Sequence, residues 1–295
     1  MTATRPAAVT VPAVRARKVR PGEGGGSSPL VMVTAYDAPT ARIADEAGVD
    51  IILVGDSVAM VVLGYDDTLQ VSVDDMAHHT GAVARARPRA LVVADLPWLS
   101  YHVSAEDTVQ NAGRLIRAGA QAVKLEGGRK RVAMVAALVD AEIPVMGHIG
   151  LTPQSLHATG GYKVQGRDAA AAAALVDDAK ALAAAGCFAI VLEGVPAPVA
   201  RLVTEAVDVP TIGIGAGPSC DGQVLVFHDA VGLEDRVLPR FVRRYANLKA
   251  DGVAAIGAYA ADVRAGRFPS EAESYQLGDE AVAALGLPGG ASKTA

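Results

Sequence analysis

Eight short apolar runs, separated by longer segments of helical period in a chain of 295 residues, predict an α/β fold whose parallel strands close into an eight-fold (β/α)8 TIM barrel. That length suits one such barrel as a single domain. Composition agrees: hydrophobic residues make up 51% of the chain and aromatic ones only 4%, which favours helices packed closely on a sheet over an aromatic-rich sandwich. A doubly wound open sheet has the same rhythm and is the competing architecture.

The elements follow in order. Residues 1–30 carry Pro, Gly, Ser and basic residues without sustained period, and GEGGGSS (22–28) reads as a flexible joint, so a disordered leader is expected. VMVTAYD (31–37) is the first strand signal, IILVGDS (51–57) the second and ALVVADLP (90–97) the third. AVKLEGG (122–128), IPVMGHIG (143–150), FAIVLEG (188–194), PTIGIGAG (210–217) and QVLVFHDA (223–230) complete the eight. Between them APTARIADEAG, VDDMAHHTGAVARA, AEDTVQNAGRLIRAG and DAAAAAALVDDAKALAAAG space apolar residues at helical intervals, often with a closing Gly. In LTPQS (151–155), Thr152 before Pro153 reads as a helix start with the Thr as cap. GGYKVQGR (160–167) reads as a Gly-hinged loop near the mouth, and GIGAG (213–217) as either a phosphate cradle or a place where backbone packs closely. Residues 235–265 read as additional C-terminal helices, 31–268 as the barrel domain with those helices, and 269–295 as a loose tail.

Charge and cysteine usage narrow the function. The balance of 27 basic against 32 acidic residues, a net charge of -5, argues against a nucleic-acid or anionic-membrane surface. Cys187 and Cys220 lie far apart with no CxxC, so neither a disulfide framework nor a zinc site is expected. No uncharged apolar stretch reaches a bilayer-spanning length, and a soluble, cytoplasmic protein is expected.

In either architecture ligands bind beyond the C-terminal ends of the strands, and polar residues stand there: Asp56 and Ser57, Asp95, Lys124 and Glu126, His148, and Glu193. A single such Asp is usually a helix cap or turn former, the reading given to Asp229, and a single His is usually a hydrogen-bonded core residue. Several carboxylates aimed at one mouth need a cation or a proton to hold them together. In AVKLEGG, strand alternation projects Lys124 and Glu126 on one face while Val123 and Leu125 turn the other way. The pair is either a plain buried ion pair or an anion-binding ammonium beside a metal-serving carboxylate. Asp56, Asp95 and Glu126 offer hard oxygen ligands suited to Mg2+. Glu193 ends a very apolar strand, where desolvation would tune it toward a general base; the alternative is a cap on the helix after Pro196.

TAYD (34–37), LVGDS (53–57), ADLP (94–97), VKLEGG (123–128), GHIGLTPQS (147–155), GGYKVQGR, VLEGVP (191–196) and IGIGAGPSCDGQVLV (212–226) together resemble the ketopantoate hydroxymethyltransferase family, in order from about Val31 to Phe268. The resemblance implies a barrel of the phosphoenolpyruvate/pyruvate type and an enzyme of pantothenate biosynthesis. Such an enzyme moves a hydroxymethyl group from 5,10-methylenetetrahydrofolate to 3-methyl-2-oxobutanoate, giving ketopantoate through a Mg-stabilised enolate. By the same resemblance Asp56 and Asp95 match magnesium-binding aspartates and Glu126 a third metal-associated acid. Ser57 and Lys124 match residues holding the oxo acid's carboxylate end, and Asp95 also touches substrate. Glu193 matches the proton acceptor and His148 a histidine of the site. It implies a homo-oligomer, commonly a decamer, with small-molecule substrates and no nucleic-acid or membrane partner. The chain departs in its long Gly-rich leader and in FPSEAESYQL, which lacks the His-Ser-Phe/Tyr close of many relatives. Two other readings compete: a Mg-dependent 2-oxo acid lyase of the isocitrate lyase type, against which the lack of a suitably placed Cys counts, and a non-catalytic ligand-binding barrel, which loss of an acid would mark.

Overall fold

All eight apolar runs form strands. In the computed structural model, which describes residues 7–19, 28–234, 236 and 238–288, they are β1 (Leu30–Thr34), β2 (Ile51–Val54), β3 (Leu91–Asp95), β4 (Ala122–Glu126), β5 (Val145–Gly150), β6 (Ala189–Glu193), β7 (Thr211–Ile214) and β8 (Gly222–Leu225). Each pairs in parallel with its neighbour in sequence, and β8 returns to β1, so the barrel closes and the open sheet is excluded. The helices are α1 (Val11–Arg15) ahead of the barrel, then α2 (Ala38–Glu46), α3 (Val58–Val61), α4 (Val73–Arg85), α5 (Ala105–Ala118), α6 (Val132–Asp140), α7 (Leu156–Thr159), α8 (Ala169–Ala184), α9 (Ala197–Ala206) and α10 (Phe227–Val231). Asp37, Ser72, Ser104 and Asp168 cap α2, α4, α5 and α8 with side-chain oxygens, satisfying backbone N–H groups that the helix leaves free. No helix joins β7 to β8; the connection, GAGPSCD (215–221), is too short and too rich in turn formers.

Strand alternation sorts the core into two layers. Ile51, Leu53, Leu91, Val93, Ala122 and Met146 point into the barrel, while Ile52, Val54, Val92, Val123, Leu125 and Val145 pack outward against helices. The inward set changes from apolar to charged toward the C-terminal ends: Val93 gives way to Asp95, Ala122 to Lys124 and Glu126, Met146 to His148, and Val191 to Glu193. Register brings these together, with Asp95 opposite Lys124 and Glu126 opposite His148.

The expectation of an irregular leader fails for residues 7–19. Val14 of α1 is fully buried among the barrel-interior residues Leu30, Met32 and Val224. Lys18 sets its ammonium 3.0 Å from Asp221 Oδ2 and donates to the Thr204 carbonyl, while the Val19 N–H donates to Asp221 Oδ1. Apolar burial and a buried ion pair thus hold this stretch, whose few apolar residues were too scattered to show a period. The GEGGGSS joint lies outside the described residues but for Ser28. Two further corrections concern caps. Thr152 precedes a 3-10 turn, Pro153–Ser155, but makes no capping bond. Asp229 is not a cap; it lies buried within α10.

A second unit, Asn247–Ala295, follows the barrel unit that ends at Ala246. It contains α11 (Leu248–Arg264) and α12 (Asp279–Ala284), neither with a buried residue, so the tail expected from residue 269 holds a short helix and the helices expected from residue 235 begin at Leu248.

If the leader is part of the barrel, Lys18→Met leaves Asp221 buried without its cation. That should lower stability by on the order of 3 kcal/mol, seen as a drop of roughly 10 °C in Tm; an unchanged melting curve would show that residues 7–19 contribute nothing.

Candidate active site

The charged ends of β2 to β6 meet in a cavity of about 1080 Å³ at the C-terminal mouth of the barrel, lined by Asp56, Ser57, Asp95, Lys124, Glu126, His148 and Glu193 among others. Every residue singled out at the strand ends for this site is brought to it. Asp56, Asp95, Lys124, Glu126 and His148 are each at most 5% exposed, so their charges are settled by one another rather than by water.

Lys124 Nζ lies 2.9 Å from Asp95 Oδ1, and Asp95 Oδ2 accepts the Asp56 N–H at 3.1 Å. Ser57 Oγ shares a hydrogen bond of 2.9 Å with the Tyr36 hydroxyl. Glu126 Oε1 lies 3.3 Å from His148 Nδ1, and His148 Nε2 lies 3.3 Å from Glu193 Oε2. Glu193 is therefore neither a cap of α9, whose cap residue Pro196 makes no side-chain bond, nor an isolated acid in an apolar wall. It closes a chain running Glu126, His148, Glu193 from the barrel interior to the open mouth. Gly150 permits this arrangement: its backbone sits at φ +96°, and a Cβ there would fall 2.3 Å from the Glu193 carbonyl oxygen. Within GIGAG the ring of Phe241 packs closely against Gly215, which leaves no room for a side chain there.

Burial acts first on each acid. It pushes Asp56 well above the usual carboxylate range, and the charges of Asp95 and Glu126 push it further, against the pull of Lys124 and of Gln154. Asp95 is also raised by burial, in spite of Lys124. Glu126 goes the other way: burial would raise it, but hydrogen bonding to His148 and the nearby cations hold it below its ordinary value. Burial and Lys124, whose Nζ is 3.3 Å from Nδ1, both press His148 toward neutrality, yet hydrogen bonds to Glu126 and Glu193 outweigh them and lift it to about 9. An acceptor at each ring nitrogen favours the imidazolium.

The donor set fits a hard divalent cation. Two adjoining aspartates held above their ordinary range mark a place short of positive charge, and all available donors are oxygens. Among the described residues no three acid, His or Cys side chains converge as a complete cage. Magnesium does not need one, since one or two carboxylates with water and substrate oxygens complete its shell. Asp56 is the more open donor: both oxygens of Asp95 are engaged, Oδ1 by Lys124 and Oδ2 by the Asp56 N–H, as are both of Glu126, Oε1 by His148 and Oε2 by the Gln154 N–H at 3.0 Å.

The chain matches the family described as ketopantoate hydroxymethyltransferase over residues 14–271. The chain belongs to this family. The 3-methyl-2-oxobutanoate hydroxymethyltransferase 2 of Bradyrhizobium diazoefficiens is 57% identical over 272 residues, 92% of this chain and 91% of that protein. The 3-methyl-2-oxobutanoate hydroxymethyltransferase of Moorella thermoacetica is 58% identical over 269 residues, 91% of this chain and 98% of that protein. Among solved structures, the phosphoenolpyruvate phosphomutase of Streptomyces platensis superposes with a TM-score of 0.55 at 19% identity, covering 88% of this chain and 92% of that one, which supports the fold alone. A member of a hydroxymethyltransferase family is an enzyme, a transferase. The closed eight-stranded barrel implied by the family's motifs is the one observed.

Three residues of the site were not read from the sequence: Tyr36, Tyr101 and Gln154. Tyr36 and Gln154 sit inside TAYD and LTPQS, but nothing in an isolated tyrosine or glutamine marks it as a partner of acids that lie many residues away.

Two outcomes check the electrostatics. A carboxyl raised in the folded state favours the fold below its unfolded value, and that contribution is lost as pH rises through the raised folded value. The metal-free protein should therefore lose stability as pH rises above the ordinary carboxylate range and Asp56 and Asp95 ionise, and Mg2+ should replace the proton. The Tm gain on adding Mg2+ is expected to be larger near about pH 8 than near about pH 5.5; an equal or inverted gain would remove the carboxylate crowding. Asp56→Asn should weaken Mg2+ binding at least about tenfold by calorimetric titration, and an unchanged affinity would take Asp56 out of the donor set.

Proposed function

We propose that the chain transfers a hydroxymethyl group from 5,10-methylenetetrahydrofolate to 3-methyl-2-oxobutanoate, giving 2-dehydropantoate (ketopantoate) and tetrahydrofolate, in pantothenate biosynthesis. The observation that carries this reading is the Glu126–His148–Glu193 chain, which holds a carboxylate at the open mouth of the cavity that the aspartate pair and Lys124 also line. Its support from relatives is the name shared by proteins 57% and 58% identical over most of their length.

Each residue has a task in this reading. Lys124, with Ser57 beside it, meets the carboxylate of the oxo acid. Asp56 and Asp95 would hold Mg2+, with Glu126 as the neighbouring acid, and the ion when bound polarises the 2-oxo group and makes the C3 proton more acidic. Glu193 accepts that proton. Its 3.3 Å ion-pair contact with His148 Nε2 orients it, and Glu126 on the far nitrogen holds the ring in place. The enolate carbon then bonds to the methylene carbon, whose two C–N bonds break back to the folate nitrogens; water supplies the hydroxyl, and the C3 proton and the remaining water proton end on those nitrogens, in a cavity far larger than a five-carbon acid fills.

The lyase alternative gains nothing here: Cys187 and Cys220 are both buried and neither lines the cavity. The non-catalytic alternative lacks its mark, since every acid of the site is in place. No helix among the described residues is long and apolar enough to cross a membrane. A cytoplasmic homo-oligomer, a decamer by analogy with the family, accompanies the proposal.

Proton NMR of 3-methyl-2-oxobutanoate in D2O tests the reading directly. Loss of the C3 proton signal should require protein and Mg2+, and ketopantoate should form once methylenetetrahydrofolate is added; neither exchange nor product would overturn it. Glu193→Gln should slow exchange by roughly 10²- to 10⁴-fold while leaving Mg2+ affinity close to wild type, and retained exchange would remove Glu193 as the base.

A further inference from the structure

Beneath the acids a glutamine side chain is sealed in place. Gln154 is only 5% exposed, and its Nε2, Oε1 and backbone N–H are all engaged by the site. Nε2 donates to Asp56 Oδ2 at 2.8 Å and to the Leu96 carbonyl at 3.0 Å. Oε1 accepts from the Tyr101 hydroxyl at 2.6 Å, and the backbone N–H donates to Glu126 Oε2 at 3.0 Å. The orientation of the amide is forced. The Tyr101 oxygen already accepts the Glu126 N–H at 3.2 Å, so its own proton goes to Gln154 Oε1, and both atoms facing Nε2 are acceptors. One residue of the turn after β5 thereby ties together the ends of β2, β3 and β4.

We propose that Gln154 is a positioning residue that fixes the Asp56 carboxylate for the divalent cation, with Tyr101 as the group that aims its amide. This rests on the reading of Asp56 as a metal donor. Asp56 stands beside two other acids, and repulsion alone would swing its carboxylate away from them. The Nε2 donor pins one oxygen against that repulsion, and the second bond to Leu96 stops the amide from following. The side chain and the backbone of residue 154 serve different partners. Glu126, and through it His148 and Glu193, depends on the backbone N–H, which survives substitution. Loss of the side chain should therefore loosen the cation site while the proton-accepting chain stands.

The test is calorimetric titration of the full chain with Mg2+ alone, for wild type, Gln154→Leu and Tyr101→Phe, paired with C3 exchange measured at saturating Mg2+. Gln154→Leu should raise the Mg2+ Kd about tenfold, equivalent to about 1.4 kcal/mol, and Tyr101→Phe about threefold. Exchange at saturating Mg2+ should return to within about threefold of wild type in both, a split between affinity and rate that a merely structural role would not produce. Affinities within about twofold of wild type in both variants would overturn the proposal, as would a rate deficit that excess Mg2+ leaves uncorrected. If Gln154→Leu fails to fold, Tyr101→Phe, which loses a single oxygen, decides the matter alone. If wild type itself takes up no Mg2+, the metal reading of Asp56 falls and this proposal with it, a result distinct from an unaltered variant.

Discussion

Crowding of Asp56, Asp95 and Glu126 around a single ammonium, Lys124, is the constraint on which the rest of the site depends. All four are buried, so water cannot screen them, and each carboxylate must find a donor, a cation or a proton. Lys124 answers Asp95, and His148 with the Gln154 N–H answers Glu126. Asp56 has a single side-chain donor, the Gln154 amide, and is the acid driven furthest from its ordinary range. The place where compensation falls short is the place where a divalent cation would be most stabilising.

The closed barrel makes such crowding tolerable. Its interior is filled by Ile51, Leu53, Leu91, Val93, Met146 and their neighbours, and its N-terminal end is stopped by Val14 of α1, so the charged layer rests on a packed floor. Parallel register then advances the inward residues around the mouth, setting Asp95 opposite Lys124 and Glu126 opposite His148 without any long-range loop. Strand-borne groups have little freedom to drift, which suits a site whose donors must be placed before substrate arrives. The wider mouth is built from loops instead, with Tyr162, Val164 and Phe241 around the rim. Rigid chemistry below and variable loops above divide the labour in the usual way for this architecture.

His148 joins two parts of the site. Alone, a buried histidine beside an ammonium would be neutral. Flanked by Glu126 and Glu193 it is lifted to about 9, and its ring stands between the interior acid and the carboxylate at the mouth. A histidine that reads as an ordinary core residue in sequence thus stands between Glu126 and Glu193.

The sequence by itself determined the strands, their order and the polar residues at their ends, because period-two alternation and helical spacing are local properties that each segment carries alone. It also determined that Lys124 and Glu126 share a face, since alternation requires it. Motifs in order from Val31 to Phe268 carried the family. Tertiary structure decided what no segment holds: that β8 meets β1, that α1 turns back to plug the barrel, and that Glu126 rather than Thr152 satisfies the Gln154 N–H. It alone paired Glu193 with His148 and set Gln154 and Tyr101 beneath Asp56. Those contacts join residues tens of positions apart, and their energies come from burial and charge that exist only once the barrel has closed.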